Sequence, residues 1–298
     1  MRTLGVVGLG FVGTALYEGM KHAFDIVGYD KIKGVVLPRK VAEKPGPTPS
    51  LEEGLRIVVE MSDGPIFVCV PTPMRADGSC NTSIVEEVVL AIHEIARDFD
   101  SAHKRVVVIK STVVPGTTER LNNQCPGIVV CFNPEFLTER NAIEDFKGQD
   151  RIIIGGPHSG TALLKQMYNT AYPNVPVTKT SSTIAEMIKY VTNSFLATKV
   201  AFANEIEQIC GELQIDYDKV IEYATKDKRL GQSHWAVPGP DGERGFGGSC
   251  FPKDLNALIK HAESLGLQPI VMKAAWEKNL EVRPERDWEK LKGRAVTE

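Results

Sequence analysis

The chain has 298 residues, 42% hydrophobic and 24% charged. That is apolar material for about two domains of roughly 150 residues each and excludes global disorder. The 35 basic and 38 acidic side chains leave a net charge of −3, without the one-sign field that nucleic-acid or anionic-membrane binding exploits, so a small non-basic partner is expected, with no nucleic acid and no membrane. No apolar run approaches the roughly 18 to 20 residues of a membrane span, and the first residues lead into a strand in place of a secretory segment, so a cytoplasmic chain is expected.

The first strand is expected at residues 3–7. It meets Gly8-Leu9-Gly10-Phe11-Val12-Gly13, and a helix opens through Thr14, Ala15 and Leu16. In this setting Gly8 makes the tight turn, Gly10 lets the backbone approach a pyrophosphate and Gly13 allows close helix–sheet packing, with Phe11 and Val12 completing the cofactor turn. A second strand over 25–29 leads to Asp30, 17 residues beyond Gly13. A carboxylate there accepts hydrogen bonds from both ribose hydroxyls and repels a 2′-phosphate, which favours NAD over NADP even with Lys31 and Lys33 beside it. The competing reading is a glycine turn in an α/β protein that binds no nucleotide.

Pro45-Gly46-Pro47-Thr48-Pro49 reads as an irregular surface connection. Apolar runs follow at 66–70, 106–109, 128–131, 151–154 and, shorter, at 175–177. Runs apolar on both faces, joined by connections long enough for right-handed crossovers, predict an α/β fold with a Rossmann-like, doubly wound parallel sheet over residues 1–180. Pro71 and Thr72, and Ser111 and Thr112, follow the third and fourth main strands at the carboxyl edge, where cofactors sit.

From 181 to 210 no Gly or Pro interrupts a pattern that places Ile184, Met187, Ile188, Val191 and Phe195 at helical spacing. One long helix is predicted, capped by Ser181, Ser182 or Thr183, with Glu186 supporting its first turn and Gly211 as a stop. It opens a mainly α-helical domain over 181–298, with further helices at 217–226, 251–265 and 269–282 and a Gly/Pro-rich loop at 231–248. In Gly245-Phe246-Gly247-Gly248-Ser249-Cys250-Phe251-Pro252-Lys253-Asp254 a glycine segment ends at a cysteine and Pro252 begins a helix. Cys250 would stand at the helix N-terminus, where the dipole and Lys253 favour thiolate, with Asp254 one turn along. The alternative is a capping turn around an inert thiol. The other five cysteines lack any C-x-x-C pair, so reduced, inert packing residues and no metal site are expected.

These segments also resemble a family. Gly8 to Gly13, Cys69-Val70-Pro71-Thr72-Pro73, Lys110-Ser111-Thr112-Val113-Val114-Pro115-Gly116-Thr117, Asn133-Pro134-Glu135-Phe136-Leu137-Thr138-Glu139, Lys189 with Asn193, Asn204-Glu205, Arg229-Leu230-Gly231 and the Cys250 segment stand in the order found in the UDP-glucose/GDP-mannose dehydrogenase family. The sequence is most similar to its UDP-glucose 6-dehydrogenases. The resemblance implies oxidation of the C6 alcohol of a nucleotide-linked hexose to a carboxylate with two NAD in succession, for polysaccharide synthesis, through a thiohemiacetal and a thioester on Cys250.

It further implies that Lys189 and Asn193 stabilise the alkoxide and oxyanion, that Asp254 and Thr112 hold and activate a water, and that Glu139, also on the cofactor side, is a general acid/base. Glu135, Phe136, Leu137, Phe246, Gly247, Gly248 and Lys253 fall to the sugar substrate. The long helix would build a homodimer in which Arg229 reaches the partner's sugar site. A third α/β domain covers the nucleotide in the family; the residues from Lys292 to Val296 resemble the start of its first strand. The competing functions are a non-catalytic NAD-binding remnant, a dehydrogenase of GDP-mannose or a UDP-N-acetylhexosamine, and a two-domain dehydrogenase of a small hydroxy acid, which would leave the Cys250 segment without a purpose.

Overall fold

The computed structural model describes residues 2–36, 49–99 and 104–298; the proline-dense stretch at 45–48 lies outside them. Eight strands among these residues are β1 (Thr3–Val7), β2 (Asp25–Asp30), β3 (Gly34–Val36), β4 (Ile66–Val68), β5 (Arg105–Ile109), β6 (Ile128–Phe132), β7 (Ile152–Gly155) and β8 (Val177–Thr180). They form one sheet in the order β3-β2-β1-β4-β5-β6-β7-β8. From β2 to β6 every pair is parallel, with Val7 beside Tyr29 and Val68.

The α/β, doubly wound expectation holds, but the sheet is mixed. Strand β3 runs antiparallel to β2, and β7 meets β6 antiparallel at Phe132 and Gly155. Apolarity reports burial, not direction, and antiparallel strands at the margin of a parallel sheet satisfy the same ladders. Strand β8 begins where the expected 175–177 run ends, because this edge strand is half exposed and carries Thr178, Lys179 and Thr180.

Successive side chains of a strand face opposite sides, so β1 sends Val7 into one core and Val6 into another. The Val7 side is closed by α2 (Leu51–Met61), α3 (Ser83–Ala96) and α4 (Thr117–Gln124), through Leu55, Val88 and Leu121. The Val6 side is closed by α1 (Phe11–Met20), α5 (Ala142–Lys147) and α6 (His158–Ala171), through Leu16, Phe146 and Leu164. The sheet reverses its winding between β1 and β4, which opens a crevice at their carboxyl ends.

The chain divides into two compact units, Met1–Thr72 with Thr82–Lys189, and Pro73–Asn81 with Tyr190–Glu298. Helix α7 (Ser182–Glu212) continues from the first into the second. Ser181 caps it, its hydroxyl accepting from the Ile184 amide at 3.3 Å. Glu186 does not support that turn. Its carboxylate accepts from the amides of Gly116 (2.7 Å) and Thr118 (2.8 Å), and so caps α4 instead. Helix α7 also runs through Gly211 to Glu212.

The second unit adds α8 (Tyr217–Ala224), α9 (Phe251–Ser264) and α10 (Ile270–Val282) around Ala197, Ala201, Phe246, Leu255, Ile259 and Ala275. Met74 bridges antiparallel to Cys80 and parallel to Val296, which seats the short 73–81 segment in this unit. No helix among the described residues is long and apolar enough to cross a membrane.

Candidate active site

The glycine turn lies at the carboxyl end of β1. Gly8 has φ +88°, and a Cβ there would stand 2.7 Å from the Cys69 carbonyl oxygen; at Gly13 it would stand 1.8 Å from the Gly8 carbonyl oxygen. Both glycines are therefore demanded by the protein's own packing. Gly10 is different, because a Cβ there would meet nothing within 4 Å. Gly10 begins α1, which has no capping side chain and no acidic residue in its first turn, so the open space faces a helix N-terminus suited to a pyrophosphate.

Asp30 closes the other side of the turn. It accepts from the Leu9 amide (2.7 Å) through one oxygen and from Ile32 (2.9 Å) and Lys33 (3.1 Å) through the other. Burial works to raise its pKa, but these three amides and the Lys33 charge outweigh it and hold the carboxyl below the ordinary range. Lys33 is turned back onto the Leu9 carbonyl. The arrangement fits NAD, with Gly10 under the pyrophosphate and an ionised Asp30 for the ribose. Thr72, Ser111 and Thr112 are buried, and the Ser111 hydroxyl donates to the Val70 carbonyl at 2.6 Å, tying the end of β5 to the segment after β4. Cys69 lies just past β4, not within it; burial pushes its thiol, like that of Cys131, up to about 12, and none of the six cysteines is in a disulfide.

The first unit also holds a buried ion pair. Lys189, 3% exposed, donates to the Glu135 carbonyl oxygen (2.7 Å) and carboxylate (2.9 Å). Burial raises the Glu135 pKa, but Lys189, the Leu137 amide and Lys110 prevail and lower it. Phe136 stacks near the Lys189 ammonium, 5.7 Å from its ring centre, while Leu137 packs into the core on the α1 side of the sheet. Glu139 is exposed in the 3₁₀ turn Glu139–Asn141. The carboxylate brought to Lys189 is thus that of Glu135.

Lys110 has no role in the sequence reading, yet it is buried here too. It donates to the Asn133 side chain at 2.9 Å, and Tyr168 donates to the same oxygen at 2.5 Å. Burial, opposed by Cys69 and Glu135 and reinforced by Lys189, lowers its pKa to about 8. A lysine directly following the apolar 106–109 run was the available signal.

In the second unit Cys250 is the N-cap residue of α9, with Pro252 in the first turn. The Ser249 hydroxyl lies 3.8 Å from its sulfur. Asp254, 1% exposed, accepts from Asn193 at 2.6 Å and from Lys253 at 2.5 Å. Burial lowers the Lys253 pKa, but the groups around it, Asp254, Cys250 and Cys80, raise it well above the ordinary range and keep the ammonium charged. Asn193 is therefore engaged with Asp254, where the sequence reading pairs it with Lys189.

Phe246, expected at the substrate, is 4% exposed and packs against Phe251 and Trp276 in the core, because both its backbone groups are taken by buried Asn279. At Gly247 a Cβ would stand 2.4 Å from Arg283 and from Asp287, whereas at Gly248, with φ +68°, it would meet nothing. Arg229 is exposed and forked onto Asp227. Among the described residues no group of three His, Cys, Asp or Glu could hold a metal ion.

The chain matches the NAD binding domain of the UDP-glucose/GDP-mannose dehydrogenase family over residues 2–172 and the central domain of that family over residues 183–281. It is 32% identical to UDP-glucose 6-dehydrogenase AglM of Haloferax volcanii, over 98% of this chain and 72% of that protein. It is 36% identical to a UDP-glucose 6-dehydrogenase of Rhizobium meliloti, over 87% of this chain but only 63% of that protein's length. A UDP-glucose dehydrogenase structure from Pyrobaculum islandicum superposes with a TM-score of 0.79 at 33% identity, over 98% of this chain and 70% of that one. Residues 2–172 thus carry the NAD-binding domain, and with both domains met in the same order along one polypeptide, the chain belongs to the UDP-glucose/GDP-mannose dehydrogenase family.

Proposed function

We propose that the protein is an NAD-dependent nucleotide-sugar 6-dehydrogenase that oxidises UDP-glucose to UDP-glucuronate, a four-electron reaction, in the cytoplasm and for polysaccharide synthesis. Residues 1–180 serve as the NAD domain and 181–298 as the helical domain carrying the nucleophile. The observation that carries the reading is Cys250 at the N-terminus of α9 beside a charged Lys253 and a buried Asp254. A simple alcohol dehydrogenase has no use for such a thiol.

Gly10, the α1 N-terminus and Asp30 hold NAD, which when bound accepts hydride from C6 in each oxidation. Lys189 stabilises the alkoxide of the first oxidation and is itself oriented by Glu135. The aldehyde is then attacked by the Cys250 thiolate, forming a C–S bond, and the oxygen takes a proton to give a thiohemiacetal. Its oxidation leaves a thioester. Water held by Asp254, Asn193 and Thr112 attacks the carbonyl, the C–S bond breaks, and Cys250 leaves as thiolate. The balance is one alcohol, two NAD⁺ and one water giving one carboxylate, two NADH and three protons. Glu135 or Glu139 relays the proton of the hydrolytic step.

The apolar residues Ile184, Met187, Val191, Phe195, Phe202 and Ile209 of α7 are exposed, and we assign them to a homodimer with Arg229 serving the partner's sugar; a monomer in sedimentation would refute that assignment.

The test is NADH counted per sugar consumed, over a panel of UDP- and GDP-hexoses. Two per UDP-glucose is expected, with the second lost in Cys250→Ala. One per sugar would reduce the enzyme to an alcohol dehydrogenase, none with tight NAD binding would make it a binding remnant, and preference for GDP-mannose or a UDP-N-acetylhexosamine would overturn the substrate.

A further inference from the structure

We propose that Arg283 and Asp287 are positioning residues that lock the Cys250 segment in its reacting pose, an inference that rests on the reading of Cys250 as nucleophile. Arg283 is the C-terminal cap residue of α10 and is 5% exposed. Its Nε donates to Asp287 at 2.6 Å, one Nη to Asp241 at 2.8 Å and the other to the Arg244 carbonyl at 3.2 Å. All donor-bearing nitrogens of the guanidinium are thereby directed onto the loop that precedes Cys250 or onto the residue that grips it.

Asp287 passes the grip forward, its second oxygen accepting from the Gly248 amide at 2.9 Å. Just upstream, the Gly245 amide donates to Asn204 of α7 (3.2 Å) and the Phe246 amide to Asn279 of α10 (2.7 Å). Three of the four amides of Gly245-Phe246-Gly247-Gly248 are so fixed by side chains from elsewhere in the second unit. The missing side chain at Gly247 is what lets Arg283 and Asp287 press against the backbone.

This degree of restraint is unusual for a stretch with three glycines, which is intrinsically the most mobile kind of backbone. Only Ser249 separates Gly248 from Cys250, so the Asp287 contact anchors the backbone close to the thiol. Its loss would let the sulfur leave the α9 N-terminus and the neighbourhood of Lys253, the two features that favour thiolate. Arg283 is suited to the task because its planar fork can satisfy two carboxylates and a carbonyl at once, which a lysine cannot.

The experiment uses the full chain and compares Arg283→Lys, Arg283→Met and Asp287→Ala with the parent. We measure NADH per UDP-glucose, free aldehyde released, and the pH midpoint of Cys250 alkylation by iodoacetamide, with NAD affinity as the folding control. The expected result is NAD affinity unchanged within about twofold, turnover down about tenfold or more, NADH per sugar falling from two toward one with aldehyde escaping, and an alkylation midpoint moved to higher pH. Folded variants that keep the parent's midpoint and stoichiometry overturn the inference. Should the Arg283 variants fail to bind NAD, Asp287→Ala, at a half-exposed position, decides alone by the same criteria. Cys250→Ala separates the two claims: if it still yields two NADH, the nucleophile reading fails and the positioning role with it; if it loses the second while the Arg283 and Asp287 variants match the parent, only the positioning role fails.

Discussion

Replacing Lys110 by methionine should make the protein more stable and less active. Its ammonium is held at a pKa of about 8 where 10.5 is ordinary, which corresponds to a penalty of about 3 kcal/mol at neutral pH for keeping the charge in its buried site. Methionine removes that penalty and fills much of the same space. It also removes the hydrogen bond to Asn133, but Tyr168 still donates to the orphaned oxygen, so the loss is about 1 kcal/mol. Lys110→Met should gain about 2 kcal/mol near pH 7.

The gain has a fixed pH signature. Between about pH 8 and 10.5 the unfolded chain keeps a proton that the native protein has released, so the parent's stability rises with pH through this window while the variant's does not. The advantage of the variant should shrink to nothing by about pH 10. Urea midpoints of both proteins at pH 7 and near pH 10, with equal m-values, measure the difference directly. Because the charge lies beside the Glu135–Lys189 pair, turnover should fall about tenfold as stability rises. A variant that is less stable at pH 7, with a pH-independent difference from the parent, would refute the argument and make Lys110 a net structural support.

Gly10→Ala should leave the melting temperature unchanged and weaken NAD by about thirtyfold or more, since its Cβ enters space that only a ligand uses; calorimetric titration checks it, and an intact affinity would refute the turn's role. Gly13→Ala, 1.8 Å from the Gly8 carbonyl oxygen, should instead destabilise the fold by about 3 kcal/mol or more, seen as a lower urea midpoint. The parent should bind NAD more tightly than NADP, and Asp30→Asn should cut that preference about tenfold; a parent that prefers NADP contradicts the reading of Asp30.

What the sequence discloses is what local patterning can encode. The glycine turn, the buried parallel strands, α7 and the cysteine at the head of α9 are each written within a dozen or so consecutive residues. Strand β3 is only three residues long and pairs across a tight turn, so no periodicity marks it. The direction of β7 is decided by how the chain returns after α5, which its apolar residues do not record. Glu186 looks like a helix-start residue of α7 and serves α4, 68 positions upstream, because a free amide at Thr118 comes within reach only in the folded unit. The same holds in the site: Glu135 and Glu139 are equivalent in sequence, and only the fold turns Glu135 onto Lys189, 54 residues away. Phe246 sits in a motif that points to substrate, yet its ring is core because Asn279 fixes the backbone that carries it.

The chain passes between its two compact units three times, at Thr72–Pro73, Asn81–Thr82 and Lys189–Tyr190. The 73–81 excursion is held inside the second unit by the Met74 amide on the Ala295 carbonyl (2.8 Å) and the Thr297 amide on the Met74 carbonyl (2.9 Å). A nick at Lys189–Tyr190 would cut residues 190–298 from every peptide bond to the first unit, yet leave them hydrogen-bonded to the 73–81 excursion, which stays covalently part of the other fragment. Equally, a gene fragment begun at α7 would be translated without residues its own product needs, and the 73–81 segment, whose Met74 bridges to Val296, would have to be supplied in trans, as a peptide complementing a split protein.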